Sequence, residues 1–203
     1  MIEKGVVLPM FYLPPVEYFV LLNAYKPGIL IESEEHFPKQ TYRNRAHVFT
    51  PDGVLVLTVP VIKGSKTHTK IKDVKISYDF DWQRLHWLSL QACYRRSAYF
   101  EYYEDELAPF YEKRFDFLFD YNEQVLQFLL KSIKLKVDLQ YTQSYESSYS
   151  QLNDFRNSIS PKKEPGFEQK QYFQVFEERQ GFQKNLSIVD LLFNQGPHSL
   201  NYL

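Results

Sequence analysis

At 203 residues, with 44% hydrophobic side chains, the chain has the material of one ordinary domain whose core is large enough to fold unaided. A net charge of -1 and an isoelectric point near 6.5 lack the basic excess of a general nucleic-acid binder. One cysteine, Cys93, excludes an internal disulfide and a cysteine-based metal cluster, and no uninterrupted apolar run approaches the ~18 residues of a membrane span. The expectation is a soluble, cytoplasmic protein.

Residues 5–13 form a nearly continuous apolar run (Val6, Val7, Leu8, Met10, Phe11, Leu13) that predicts a buried first strand. Pro14-Pro15 closes it, and Pro15 suits the first turn of a helix because its missing N–H is not needed there. Val16, Phe19, Val20 and Ala24 share one helical face, Tyr18, Leu21, Leu22 and Tyr25 cover much of the rest, and Lys26-Pro27-Gly28 ends the helix. A second apolar strand follows at 28–31, so the order is that of a βαβ unit.

The stretch 34–45 (Glu-Glu-His-Phe-Pro-Lys-Gln-Thr-Tyr-Arg-Asn-Arg) concentrates opposite charges, a histidine and two aromatics in one connection. Beyond it, Thr50-Pro51-Asp52-Gly53 sits between His47-Val48-Phe49 and the apolar run 54–61, which predicts a β-hairpin. Residues 63–66 read as a basic loop, and Ile71, Val74 and Ile76 suggest one more short strand. From 81 to 133 the period becomes helical: Leu85, Leu88 and Ala92 mark the first segment, and Val125, Leu126, Leu129 and Ile133 mark the last. Two or three helices fit, with Pro109 interrupting or beginning one and Asp120 with Glu123 spaced as a capping box.

Residues 140–171 are rich in Ser, Gln, Asn, Lys and Tyr and lack either periodicity, which predicts a flexible loop in preference to an ordered lid. Tyr172 to Phe176 suggests a strand, and a last helix covers 186–194, capped by Asn185 or Ser187 and stopped by Gly196-Pro197. The whole predicts one α/β domain: a mixed sheet opening with a βαβ unit and a hairpin, packed by several helices.

The chemistry is sparse. No glycine-rich nucleotide motif and no G-x-S-x-G elbow is present, and His36, His47, His68, His86 and His198 are scattered singly, so no preformed metal site is indicated and the sequence names no particular cofactor. Cys93 lies in a helical apolar pattern and reads as core. Charge is segregated. Lys39, Arg43, Arg45, Lys63, Lys66, Lys70, Lys72 and Lys75 face only Asp52 and Asp73 between 39 and 75, whereas 101–123 carries eight acids against Lys113 and Arg114. The basic segment suits an anionic ligand, with Arg43 and Arg45 offering forked donors; two solvated faces that attract each other would look the same.

Phe11-Tyr12-Leu13-Pro14 with Tyr18-Phe19, Tyr42-Arg43-Asn44-Arg45, the run 57–61, Trp82 to His86, Tyr94, Tyr99-Phe100 and the run 185–194 together resemble the WbqC-like family in order and spacing. The resemblance implies a link to O-antigen and surface-polysaccharide gene clusters and a glycine or other aminoacyl transferase role. The chain departs from the family at Pro9-Met10, where Gln-Pro is usual, and at Ile31-Glu32, where paired aspartates are usual. The resulting expectation is a transferase acting on a phosphate- or nucleotide-linked sugar precursor. Lys39, Arg43, Asn44 and Arg45 would hold the anion, Glu32 or His36 would move a proton, and Tyr12 or Tyr42 would wall the pocket. The rival expectation is a non-catalytic module that binds another protein.

Overall fold

The computed structural model describes residues 5–62 and 68–203, so the basic loop expected at 63–66 lies outside the described residues. The βαβ unit is present. β1 (Val6–Pro9) leads through α1 (Val16–Tyr25) to β2 (Ile29–Glu32), which pairs parallel to β1 with Val6 opposite Ile29 and Pro9 opposite Glu32. Gly5 and Gly28 let the two strands start side by side, since a Cβ on Gly5 would stand 2.7 Å from the Gly28 carbonyl oxygen.

β1 is shorter than the apolar run predicts. After Pro9 the chain leaves the sheet while staying buried, and Leu13, at φ 38°, turns it toward α1, with Pro15 as the residue before the helix. The hairpin forms as expected from β3 (Arg45–Thr50) and β4 (Gly53–Thr58). The parallel and antiparallel ladders are separate sheets. Ile71 and Val74 do not build a strand: Ile71–Asp73 is a single 3-10 turn, and Ile76 makes only an isolated bridge to Val61.

Four helices occupy the helical region: α2 (Trp82–Tyr94), α3 (Phe100–Leu107), α4 (Pro109–Glu112) and α5 (Leu118–Ser132). Pro109 begins α4. The capping box does not form, because α5 starts at Leu118 and Asp120 is already inside its first turn. The stripe Leu85, Leu88 and Ala92 of α2 faces solvent, while Trp82, His86, Leu90, Cys93 and Tyr94 face inward.

The stretch 140–171 contributes two short strands at its edges of structure. β5 (Leu139–Tyr141) pairs parallel to β2, and β6 (Asn153–Asp154) pairs parallel to β1, giving the strand order β5-β2-β1-β6. Tyr172 to Phe176 is irregular, because Tyr172 and Gln174 turn their side chains inward to Asp190 and not across a ladder. After α6 (Glu177–Gln180), α7 (Ile188–Gln195) is capped by the Ser187 hydroxyl, which accepts from the Val189 N–H. One hydrophobic core runs through β1, α1, β2, the hairpin, α2, α5 and α7. No helix of the described residues is long and apolar enough to cross a membrane.

Candidate functional site

All four strands of the parallel sheet point their carboxyl ends to one side, and β2 and β6 flank β1 in opposite directions. Open α/β sheets build ligand crevices where strand order reverses in this way. At that edge the chain gathers charge. The segment leaving β2 supplies Glu32, Glu34 and Glu35, the connection before β3 supplies Arg43, and the chain around β6 supplies Asp154 and Arg156.

Arg156 is the hub. Its side chain is buried, and it donates from Nη1 to Glu32 Oε2 (2.9 Å) and the Glu146 carbonyl (2.8 Å), and from Nη2 to Asp154 Oδ2 (2.6 Å). The Tyr145 and Tyr149 rings lie 5.2 and 4.9 Å from its guanidinium carbon. Arg43 forms a second buried pair, donating from Nε to Glu35 Oε1 (2.5 Å) and from Nη2 to Oε2 (2.7 Å). Nη2 also donates to the Arg156 carbonyl (3.0 Å), which ties the two ion pairs together. Glu34, at the rim, accepts from Lys70 and Lys72.

These carboxyls differ in their proton affinity for physical reasons. Burial raises Glu35, against the pull of Arg43. The Lys70 and Lys72 ammonium groups hold Glu34 below its ordinary range. Asp154 is pushed up by partial burial and pulled further down by the Arg156 guanidinium and backbone N–H, ending low.

Between these segments opens a cleft of about 180 Å³ lined by Glu35, His36, Pro38, Tyr145, Arg156 and Asn157. His36 is exposed on its rim, with the His68 ring at a centroid distance of 5.0 Å. Lys39 is exposed next to Pro38 and has no ion pair among the described residues. Of the other residues predicted to bind or react, Glu32 is fully buried: its Oε1 accepts from Thr142 Oγ1 (2.8 Å) and the Glu34 N–H (2.8 Å), and its Oε2 accepts from Arg156. Asn44 is buried and donates to the Val59 carbonyl (2.8 Å), which fixes the entry to the hairpin. Arg45 is half-buried, and its Nε has no partner among the described residues. Tyr42 is buried, and its carbonyl accepts from the Tyr12 N–H (2.9 Å).

The Tyr12 side chain lies away from the cleft residues, in the core. Its hydroxyl is 3.0 Å from His86 Nδ1 and 3.0 Å from the Tyr111 hydroxyl, and its ring stacks with Tyr121. The Thr58 carbonyl accepts a hydrogen bond from the His86 ring, which in the neutral imidazole leaves Nδ1 to accept from the Tyr12 hydroxyl. Burial lowers its pKa to about 4.

The model of the WbqC-like protein family matches residues 10–164, a span that begins just after β1 and contains β2, β5, β6, the hairpin and every residue of the cleft. The chain belongs to the WbqC-like protein family. It is also similar to the uncharacterised protein Rv1507c of Mycobacterium tuberculosis (strain ATCC 25618 / H37Rv), at 26% identity over 227 residues, covering 99% of this chain and 97% of that protein. No solved structure matches.

In this WbqC-like chain the segment 34–45 stands out in the sequence, whereas its partners do not. Thr142, Tyr145, Asp154, Arg156 and Asn157 all come from the polar stretch 140–171. The signal there was a lone arginine two residues after Asp154, with Leu152 and Phe155 as apolar neighbours of a two-residue strand. Among the described residues no group of three or more His, Cys, Asp or Glu is arranged to hold a metal ion.

Proposed function

We propose that this WbqC-like chain is a cytoplasmic transferase of surface-polysaccharide metabolism, acting on an anionic, phosphate- or nucleotide-linked sugar precursor held at the carboxyl edge of the parallel sheet. The cleft between His36, Tyr145 and Arg156 carries this reading, because it opens at the strand-order reversal and joins an exposed imidazole, an aromatic face and a fixed guanidinium. His36 takes the proton from the attacking group, since it is exposed and Glu32 already spends both oxygens on Arg156, Thr142 and the Glu34 N–H. Lys39 and Arg45 meet the ligand's negative charge. Arg43, Asn44 and Glu32 hold the connection in place, with Tyr42 and Tyr12 packed beneath it.

A thermal-shift panel of nucleotide sugars, sugar phosphates and aminoacyl donors tests this. Phosphate-bearing sugars raise the melting temperature by mass action, and Lys39→Ala with Arg45→Ala weakens binding by about 1.5 to 3 kcal/mol per charge-assisted hydrogen bond lost. Unchanged affinity in that double variant would sink the assignment.

A second reading, a non-catalytic protein-binding module, rests on the solvent-facing stripe Leu85, Leu88 and Ala92 of α2. It requires that Leu85→Ser with Leu88→Ser abolish a protein contact and leave every small-molecule shift unaltered.

A further inference from the structure

Among the described residues the hairpin closes one of its edges and leaves the other open at Val54 and Val56. Its register runs from Arg45 opposite Thr58 to Thr50 opposite Gly53, without a bulge, and the Val59 N–H donates to the Asn44 carbonyl (2.8 Å). Hydrogen-bonded pairs recur at every second position of an antiparallel ladder. Leu55 and Leu57 therefore turn their backbone groups toward β3, and Val54, Val56 and Thr58 turn theirs outward.

On the β3 side the outward groups are met: the His47 carbonyl accepts from the Ser187 N–H (2.8 Å), and the Phe49 N–H donates to the Tyr94 hydroxyl (3.1 Å). On the β4 side the Thr58 carbonyl faces His86. Among the described residues no partner meets the N–H and C=O of Val54 or Val56. Val54, Leu55 and Val56 are also 45%, 38% and 44% exposed. Native edge strands are ordinarily guarded by lysine, proline, a bulge or a covering element. The segment 53–58 carries none of the first three, and its aliphatic side chains stand open beside four unmet backbone groups.

We propose that β4 pairs antiparallel with β4 of a second copy of this chain, across a two-fold axis at Leu55, joining two hairpins into one four-stranded sheet. In that register Val54 of one copy lies opposite Val56 of the other. Each such pair exchanges two N–H···O bonds, and the symmetry-related pair repeats them, so all four outward groups are satisfied. Leu55 meets its own copy in the non-hydrogen-bonded position at the axis, and aliphatic side chains meet aliphatic side chains on both faces. Charge permits the approach. The apposed residues Val54, Leu55 and Val56 carry no charge, and the net charge of -1 per chain gives little long-range repulsion. A patch that complements itself under a two-fold is what an isologous interface requires. The pairing does not depend on what the cleft binds.

Equilibrium sedimentation of the full chain, with two variants, decides it. The wild-type chain is expected to show a concentration-dependent monomer–dimer equilibrium, and Val56→Lys to raise the dimer dissociation constant at least about tenfold with an unchanged circular dichroism spectrum. Leu55→Cys is expected to form a disulfide-linked dimer on mild oxidation, because opposed Cβ atoms at a non-hydrogen-bonded pair lie ~4.5 Å apart. Cys93 is buried and does not compete. A wild-type chain that stays monomeric at every loading concentration overturns the proposal, as does a dimer whose constant is unmoved by Val56→Lys. A monomer that instead takes an unrelated extended peptide on β4 overturns it too, and assigns the edge to another partner.

Discussion

The carboxyl edge of the parallel sheet and the aromatic cluster around Tyr12 both bury titratable groups, and they do so by opposite means. At the sheet edge the carboxyl groups meet guanidinium groups, Glu35 that of Arg43, and Glu32 and Asp154 that of Arg156. Around Tyr12 the groups are kept neutral: Tyr12, Tyr111 and Tyr121 all have hydroxyls raised by burial, and His86 is pushed down to about 4. An ionic cluster fails abruptly when one member is removed, because a bare charge remains. A neutral cluster loses one hydrogen bond at a time.

The sharpest way to break the contrast is Arg156→Met. It leaves Glu32 and Asp154 without their cation, and denaturant unfolding should show a loss of about 3 to 5 kcal/mol. Tyr12→Phe is the matching test in the neutral cluster, removing the hydroxyl between His86 and Tyr111. The expected loss is smaller, about 1 to 3 kcal/mol, since a buried acceptor is left unmet but no charge is. A loss equal to that of Arg156→Met would erase the distinction.

The pH dependence separates the groups further. His86 has a folded pKa of about 4, below the usual imidazole value, so its contribution to stability is present above about pH 6.5 and is lost as pH falls through 4. Asp190, wholly buried and accepting from Tyr172 and Gln174, is raised by burial to about 6. Its contribution has the opposite sign: it is present below about pH 3.8 and lost as pH rises through 6. Asp190→Asn removes only the second, so between pH 4 and 6 the variant should gain stability with rising pH more steeply than the wild-type chain. Parallel stability–pH curves would contradict the assignment. The smallest effect belongs to Lys72→Ala, which takes one exposed ammonium from Glu34 and should shift the unfolding midpoint only slightly, and less at high salt.

The same contrast explains what could be read from sequence. The βαβ unit, the hairpin and α7 were legible because apolar periodicity and turn residues are local signals. The family motifs Tyr12, Trp82 and His86 meet in the core as aromatic residues do. The ionic cluster was half legible: the segment 34–45 announced its charge, whereas Arg156 and Asp154 sat in a polar stretch whose pairing with β1 depends on contacts far along the chain. Charge composition also misled by proximity. Arg43 stands among cations in sequence, yet its guanidinium is bound to Glu35, eight positions earlier. The stripe Leu85, Leu88 and Ala92 has core periodicity and lies on the surface, because α2 turns its Trp82, His86 and Leu90 face inward instead.

The most direct test of the central claim is a titration of the isotope-labelled chain with a nucleotide sugar, followed by amide chemical shifts in the wild-type protein and in His36→Ala. Saturable shifts concentrated at Glu35, His36, Tyr145 and Asn157 are expected in the wild-type chain, with strongly weakened binding in the variant. Shifts centred elsewhere, or equal binding by His36→Ala, would contradict it.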